Sequence, residues 1–329
     1  MKNTFPALLL LTAAVAIAFS GCEFFPEKPG EKYALVYGIS IYDDNSNEGE
    51  GNNLSFTDDD AVAIAQLLER KGYTVYLRET GDSTDPGGSI KHSSDTSTSQ
   101  FESDIQLFTG KLTENDTFLF YFSGHGASGE SISGTKSEDS LSDSKEEYIV
   151  FNNATDNISP SDFYSDNVFY SELKKLPSIR NIVIIDACNS GGFIGQVSDV
   201  DTAAPQYYDE NTTRDGSLGL ILNAYFTPDS GDIPPNEAIV MTASGEREVA
   251  LEAGGDFQHG VFTYYLLRTP QNDPNGDGVI TTAEAYGYTR HALLNWWNPY
   301  FSDHPDKVDL QYSPRISGGP VDYVLFEAD

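Results

Sequence analysis

The sequence is short of three things. Cysteine occurs only twice in 329 residues, which excludes a disulfide-rich scaffold and a multi-cysteine zinc site. Lys and Arg total 19 against 51 Asp and Glu, a formal charge of −32. Nucleic acid and anionic lipid headgroups are bound through a basic face, so the balance argues against direct binding of either. After the N-terminal segment, no apolar run approaches the ~20 residues of a membrane-spanning helix. What is present is 39% hydrophobic and 12% aromatic residues, too much for a disordered acidic chain. The length suits one large α/β domain or two smaller ones.

The apolar stretch that does exist is at the start. Met1 and Lys2 precede an apolar run from Phe5 to Phe19, which ends in Ser20-Gly21-Cys22. A short basic region, an apolar region and small residues before a cut describe a signal peptide over residues 1–21. The cysteine after Ser-Gly resembles a bacterial lipobox, with Phe19 where Leu is usual. The resemblance implies that Cys22 is lipidated and becomes the mature N-terminus. Residues 22–32, with Pro26 and Pro29, then read as a lipidated linker. Residues 33–329 read as a monomeric domain in the bacterial cell envelope, outside the cytoplasm and held to the membrane by lipid alone. Cys188 becomes the one free thiol. Extracytoplasmic compartments oxidise exposed thiols, so such a residue is either buried and inert or kept for its reactivity.

Along the chain, apolar strands alternate with amphipathic helices. Strands are expected at Lys32 to Ile39, Tyr73 to Glu79, Asp116 to Ser123, Glu147 to Phe151, Asn181 to Cys188 and Ala238 to Ala243. Helices are expected at Asp58 to Lys71, Phe101 to Phe108, Phe169 to Leu176, Gly260 to Arg268 and Thr281 to Trp297. Three polar stretches, Gly81 to Ser99, Gly124 to Glu146 and Gly195 to Asn236, read as long loops. This alternation implies an α/β fold whose mainly parallel central sheet is flanked by helices on both faces.

Sites in such sheets form at the carboxyl ends of strands. One strand ends in Ser123-Gly124-His125-Gly126, another in Asp186-Ala187-Cys188-Asn189-Ser190-Gly191. If the strands are parallel neighbours, His125 and Cys188 emerge on one edge, and a thiol needs such a base to act near neutral pH. These two motifs resemble those of the caspase/metacaspase superfamily of cysteine peptidases. So do Tyr33 to Ile39, Asn53-Leu54 with Asp59-Asp60-Ala61, Met241 to Gly245 and His259 to Tyr264. The resemblance spans about Tyr33 to Arg315. It implies a caspase-like α/β/α sandwich and cysteine-type endopeptidase activity through a Cys188/His125 dyad and an acyl-enzyme. The oxyanion would lie on the backbone N–H groups of Gly126 and Cys188. It also implies a peptide or protein substrate with a basic residue, Arg or Lys, at P1, just before the scissile bond. Asp60, Ser123 and Asp186 correspond to the residues lining that pocket. No third triad member and no organic cofactor is expected. Arg214, in the long loop after the nucleophile, is a candidate for self-cleavage. His259 reads as structural, and Trp296-Trp297 as the end of a core helix.

A separate motif runs from Asp273 to Glu284. Asp273, Asn275, Asp277, Thr281 and Glu284 place oxygens at positions one, three, five, nine and twelve of an EF-hand calcium loop. Gly278 occupies position six, and Val279 offers its carbonyl at seven. Bound Ca²⁺ is expected to fix the helix that starts at Thr281. The alternative for the whole chain is a catalytically inactive, calcium-binding lipoprotein that uses the fold as a surface interaction module.

Overall fold

The computed structural model describes residues 30–42, 47–48, 52–83, 86–129, 146–153, 158–187, 238–244, 250–255, 257–299, 311–317 and 323–329. Residues 1–21, expected to be a signal peptide, and Cys22, Cys188 and Arg214 lie outside the described residues. In chain order the strands are β1 (Lys32–Ile39), β2 (Thr74–Thr80), β3 (Lys91–Ser93), β4 (Thr117–Ser123), β5 (Gly126–Gly129), β6 (Glu146–Val150) and β7 (Phe163–Ser165). They continue with β8 (Arg180–Asp186), β9 (Ile239–Thr242), β10 (Glu252–Ala253), β11 (His259–Gly260), β12 (Val279–Thr281), β13 (Arg315–Ser317) and β14 (Val324–Glu327). The α-helices are α1 (Thr57–Arg70), α2 (Thr98–Lys111), α3 (Asp166–Leu173), α4 (Val261–Leu266) and α5 (Thr282–Ala292).

Among the described residues the main sheet has seven strands in the order β13-β9-β8-β4-β1-β2-β3. Every pairing in it is parallel except β13 against β9. Central parallel strands are covered on both faces, and so read as unbroken apolar runs. β4 (TFLFYFS) shows how one run feeds two cores. Its side chains alternate, so Phe118, Phe120 and Phe122 face one layer while Leu119 and Tyr121 face the other. The first layer is aromatic and includes Phe101 and Phe108 of α2 and Phe169 of α3. The second includes Ile64 and Leu68 of α1, Phe262 and Leu266 of α4, and Tyr286 of α5.

Two helix starts differ from the sequence expectation in the same way. α2 and α3 begin about one turn before their apolar residues, because a serine caps each. Ser97 accepts from the Gln100 N–H and Ser165 from the Val168 N–H. First turns are polar by nature, so apolar periodicity clips them. Two expected loops also hold strands: β3 lies within Gly81–Ser99, and β5 within Gly124–Glu146. α5 continues into a π-helical turn at Leu293–Trp297. There Trp297 packs against Phe257, whereas Trp296 is half exposed and not the core residue expected.

One buried ion pair ties α2 to the sheet. Arg78 of β2 forms a fork on Asp104 of α2, with Nε to Oδ2 at 2.9 Å and Nη2 to Oδ1 at 2.6 Å. The Tyr37 hydroxyl donates to the same carboxylate. Removing one partner leaves the other charge buried and alone. Asp104→Ala is therefore expected to cost about 3–5 kcal/mol, read as a lower denaturant midpoint with unchanged slope.

Candidate active site

The register of the sheet brings the two motifs together. Ser123 of β4 pairs with Asp186 of β8, so chain positions two residues beyond each, His125 and Cys188, are offset equally from one pairing. The placement of Cys188 itself lies outside the described residues. Ala187, just before it, is buried.

His125 is held from three sides. Its backbone N–H donates to the Tyr42 hydroxyl at 2.9 Å, and that hydroxyl donates in turn to the Val150 carbonyl at 2.9 Å. The Tyr42 ring lies 4.6 Å from the imidazole. The Nε2 atom sits 2.6 Å from the Asn52 carbonyl oxygen. A carbonyl only accepts, so Nε2 carries the hydrogen, and Nδ1 of the neutral ring is left with its lone pair. Burial pushes the His125 pKa below its ordinary value, against the opposing pull of the Asn52 carbonyl. Burial thus favours the neutral ring. The Asn52 carbonyl fixes the orientation of the ring. A backbone carbonyl has no side-chain signature, so the sequence could not name it.

Gly126 opens β5 opposite Ile149 of β6. Bonded and non-bonded pairs alternate in an antiparallel ladder. The Val150 N–H donates to the His125 carbonyl, which marks the preceding pair as bonded. Gly126 then takes a non-bonded position, and its N–H points away from β6, as an oxyanion donor requires.

The three expected pocket residues meet. Asp60 in the first turn of α1 accepts from the Ser123 hydroxyl at 2.9 Å, and Asp186 at the end of β8 accepts from the Thr263 hydroxyl at 2.7 Å. The Thr263 hydroxyl is spent as a donor there, so it accepts from the Tyr121 hydroxyl at 2.5 Å. Gly260 binds both oxygens of Asp60 through its N–H. A Cβ on Gly260 would lie 2.7 Å from Asp60 Oδ2 and 2.6 Å from Asp186 Oδ2. The two carboxylates therefore flank one Cα, and only glycine fits between them.

His259, expected to be structural, lies against Asp60. Its Nδ1 lies 2.9 Å from Asp60 Oδ1, across 199 positions of chain. The short β10–β11 hairpin that presents it is anchored by Glu252, which accepts from the Ser55 and Phe56 N–H groups just before α1. Both pocket carboxyls are buried, and burial raises the pKa of each. Asp60 is drawn back by His259 and Ser123, while Asp186, with the Asp60 charge beside it, is pushed up to about 8.

The Asp273–Glu284 loop is a succession of tight turns closed by side-chain oxygens. Asp273 accepts from the N–H groups of Asn275, Gly276 and Gly278, Asn275 Oδ1 accepts from the Asp277 N–H, and Asp277 Oδ1 from the Val279 N–H. These turns fix the backbone of the loop, although the carboxylate oxygens of Asp273, Asp277 and Glu284 do not all lie within 4.8 Å of one another. Buried Glu284 reaches back to the Asn275 amide and closes the ring. Gly276 and Gly278 both have positive φ, at 69° and 87°. The Thr281 hydroxyl is committed to a capping box with Glu284, so of the expected oxygens it is the least available. The donor set, all hard oxygens in a compact loop, fits calcium.

The chain matches the caspase domain family model over residues 31–282. Among solved structures it is similar to protein GSU0716 from Geobacter sulfurreducens, with 16% identity and a TM-score of 0.53, covering 91% of this chain and 100% of that one. It is also similar to caspase-1 from Spodoptera frugiperda, with 11% identity and a TM-score of 0.45, covering 88% and 87%. No curated protein matches. With a parallel sheet, a glycine-flanked histidine at one strand end and a family match over most of its length, the chain belongs to the caspase-domain family of cysteine peptidases.

Proposed function

We propose that this protein is an active cysteine endopeptidase that cleaves after Arg or Lys. One observation carries the reading: His125 is locked by the Asn52 carbonyl as an Nε2–H tautomer, at the end of the strand paired with the one leading to Cys188. The Cys188 thiol proton passes to His125, and the sulfur attacks the scissile carbonyl carbon. The developing oxyanion is met by the N–H groups of Gly126 and Cys188, each worth about 3–4 kcal/mol in comparable sites. The C–N bond breaks, and His125 gives its proton to the departing amine. Water, deprotonated by His125, then hydrolyses the thioester and restores the thiol. Asp60, Asp186 and Ser123 receive the basic side chain, since paired carboxylates attract guanidinium and repel acidic residues. The test is cleavage of paired peptides that differ only in Arg or Asp before the scissile bond, with Cys188→Ala as control. Cleavage after Asp would sink the pocket assignment. No cleavage, together with no labelling of Cys188 by a thiol probe, would sink the peptidase.

Calcium is proposed as the bound metal, held by Asp273, Asn275, Asp277, the Val279 carbonyl and Glu284. It supplies charge neutralisation for the acidic loop and no chemistry at the thiol. A ligand present at a hundred times its dissociation constant stabilises by about 2.7 kcal/mol, or roughly 5 °C in a domain of this size. Calcium is expected to raise the melting temperature by that amount. Glu284→Gln, which preserves the capping box, should abolish the rise. An equal melting temperature in calcium and in chelator would overturn the site.

Among the described residues, no helix is long and apolar enough to cross a membrane. Attachment to the cell envelope is proposed through a lipid on Cys22.

A further inference from the structure

The chain enters the described domain at the edge where the parallel strands begin, opposite the edge that carries His125. Gly30 lies against Asn115, and a Cβ on it would meet the Asn115 carbonyl oxygen at 1.7 Å. The Glu31 N–H donates to Asp116, and the Glu31 carbonyl accepts from the Thr117 N–H. The same Asn115 carbonyl accepts from Arg180 Nη1 at the start of β8. The exit of the N-terminal segment and the loop from α3 to β8 therefore share Asn115.

That loop departs from the composition of the chain. No acidic residue stands between Glu172 and Asp186, in a protein of net charge −32, whereas Lys174, Lys175 and Arg180 are basic. Lys174 and Lys175 are exposed. Lys174 lies over the Tyr170 ring, and Lys175 is paired with Glu172. Ile179 is 62% exposed, the most of any large hydrophobic residue among those described. The Tyr323 hydroxyl donates to the Ile179 carbonyl at 2.8 Å, which brings the next residue, exposed Val324, to the same place. Scattered exposed apolar residues are ordinary, but two together among cations mark a contact surface.

The tether and the charge name the partner. Cys22 stands eight residues before Gly30, and an extended chain spans at most about 3.6 Å per residue, so a lipid on Cys22 keeps this loop within about 29 Å of the bilayer. At physiological salt a charge is felt over about 8 Å, so the local run of lysines decides the contact and not the total of −32. Lysines reach the headgroup phosphates while their stems, with an isoleucine, cover the apolar boundary. The same edge also holds Glu31, Glu114, Glu327 and Asp329, of which Asp329 is paired with Lys71 and Glu327 lies near Lys32. The remaining faces carry the acidic excess, which an anionic surface repels.

We propose that the α3–β8 loop, with Lys174, Lys175 and Ile179, and Val324 beside it, is a membrane-contact surface that docks on anionic phospholipid headgroups. The inference rests on the lipid attachment at Cys22 proposed above, and it replaces attachment by lipid alone with attachment at two points. β8 has seven residues, and at about 3.3 Å each they set the Asp186 end roughly 20 Å from the headgroups. The catalytic edge then faces away from the bilayer.

The test uses the full lipidated chain in vesicles of phosphatidylglycerol and phosphatidylethanolamine, with and without brominated acyl chains, which quench tryptophan on contact. Ile179→Trp places a reporter in the patch. Its added emission is expected to fall by about twofold or more in brominated vesicles, while that of Trp296 and Trp297 is unchanged. Lys174→Gln together with Lys175→Gln, which keeps a donor for Glu172, should reduce the quenching at least twofold. Equal emission with and without bromine overturns the surface, and equal quenching in phosphatidylcholine vesicles overturns anionic headgroups as its partner. If mass spectrometry finds no lipid on Cys22, the anchor has failed, and the surface is judged by flotation of that chain with the anionic vesicles. The double substitution should then lower the floated fraction at least tenfold, and an equal fraction overturns the surface.

Discussion

His125→Ala is expected to lower kcat for an Arg peptide by about 10³–10⁴-fold, and Cys188→Ala to remove turnover altogether. The first figure is the upper part of the range that general acid–base catalysis supplies, because His125 both takes the thiol proton and protonates the leaving amine. The acidic limb of the pH–rate profile should lie below the ordinary histidine value of about 6.5, since burial holds His125 toward its neutral, working form. Tyr42→Phe provides a graded control. It deletes the hydroxyl that accepts from the His125 N–H and donates to the Val150 carbonyl, but keeps the ring against the imidazole. A loss of about tenfold in kcat with little change in KM is expected, since the ring is misoriented and not removed. Steady-state kinetics on one peptide checks all three. An undiminished kcat in His125→Ala would remove it from the mechanism.

The strand end that carries His125 was legible in the sequence because strand ends carry strong local signals. The apolar run Phe118 to Phe122 could only be a buried strand, and the glycines on either side of His125 marked its end. The groups that tune those side chains were not legible. Asn52 acts through its backbone, which any residue has. His259 meets Asp60 only because the β10–β11 hairpin folds over the start of α1, and nothing local at either residue encodes that contact. The stretch Gly81 to Ser99 is rich in Ser and Thr, and its composition reads as loop. β3 within it has three residues and mostly exposed side chains, so its pairing with β2 is tertiary in origin. The antiparallel β13 is equally short, and β9, the strand it pairs with, precedes it by more than seventy residues.

The pocket carboxylates carry the second large expectation, and its sign depends on pH. His259 and Ser123 bind Asp60 and favour its ionised form, whereas Asp186 has the buried Asp60 charge beside it. The pair therefore holds a proton at neutral pH, chiefly on Asp186, and releases it near pH 8. A bound guanidinium favours the fully ionised pair, so kcat/KM for the Arg peptide should rise as pH goes from 6 to 9, mainly through KM. In Asp186→Asn the amide oxygen still accepts from Thr263, so the fold is retained, but the second charge is gone. Removing one partner of a buried charged contact costs about 2–5 kcal/mol. Cleavage after Arg should fall roughly 10²-fold, and its pH dependence above 7 should flatten. Stability provides an independent reading of the same proton. A carboxyl whose pKa is raised in the folded state keeps a proton that the unfolded chain has lost. Its contribution is full below the unfolded value of about 4 and fades as pH rises toward 8. Asp186→Asn should remove that slope, and so gain stability relative to the parent as pH increases. A variant that cleaves after Arg at the parent rate with the same pH profile would show that the basic side chain is received elsewhere. Asp186 would then be a buried acid of the sheet edge and no part of the pocket.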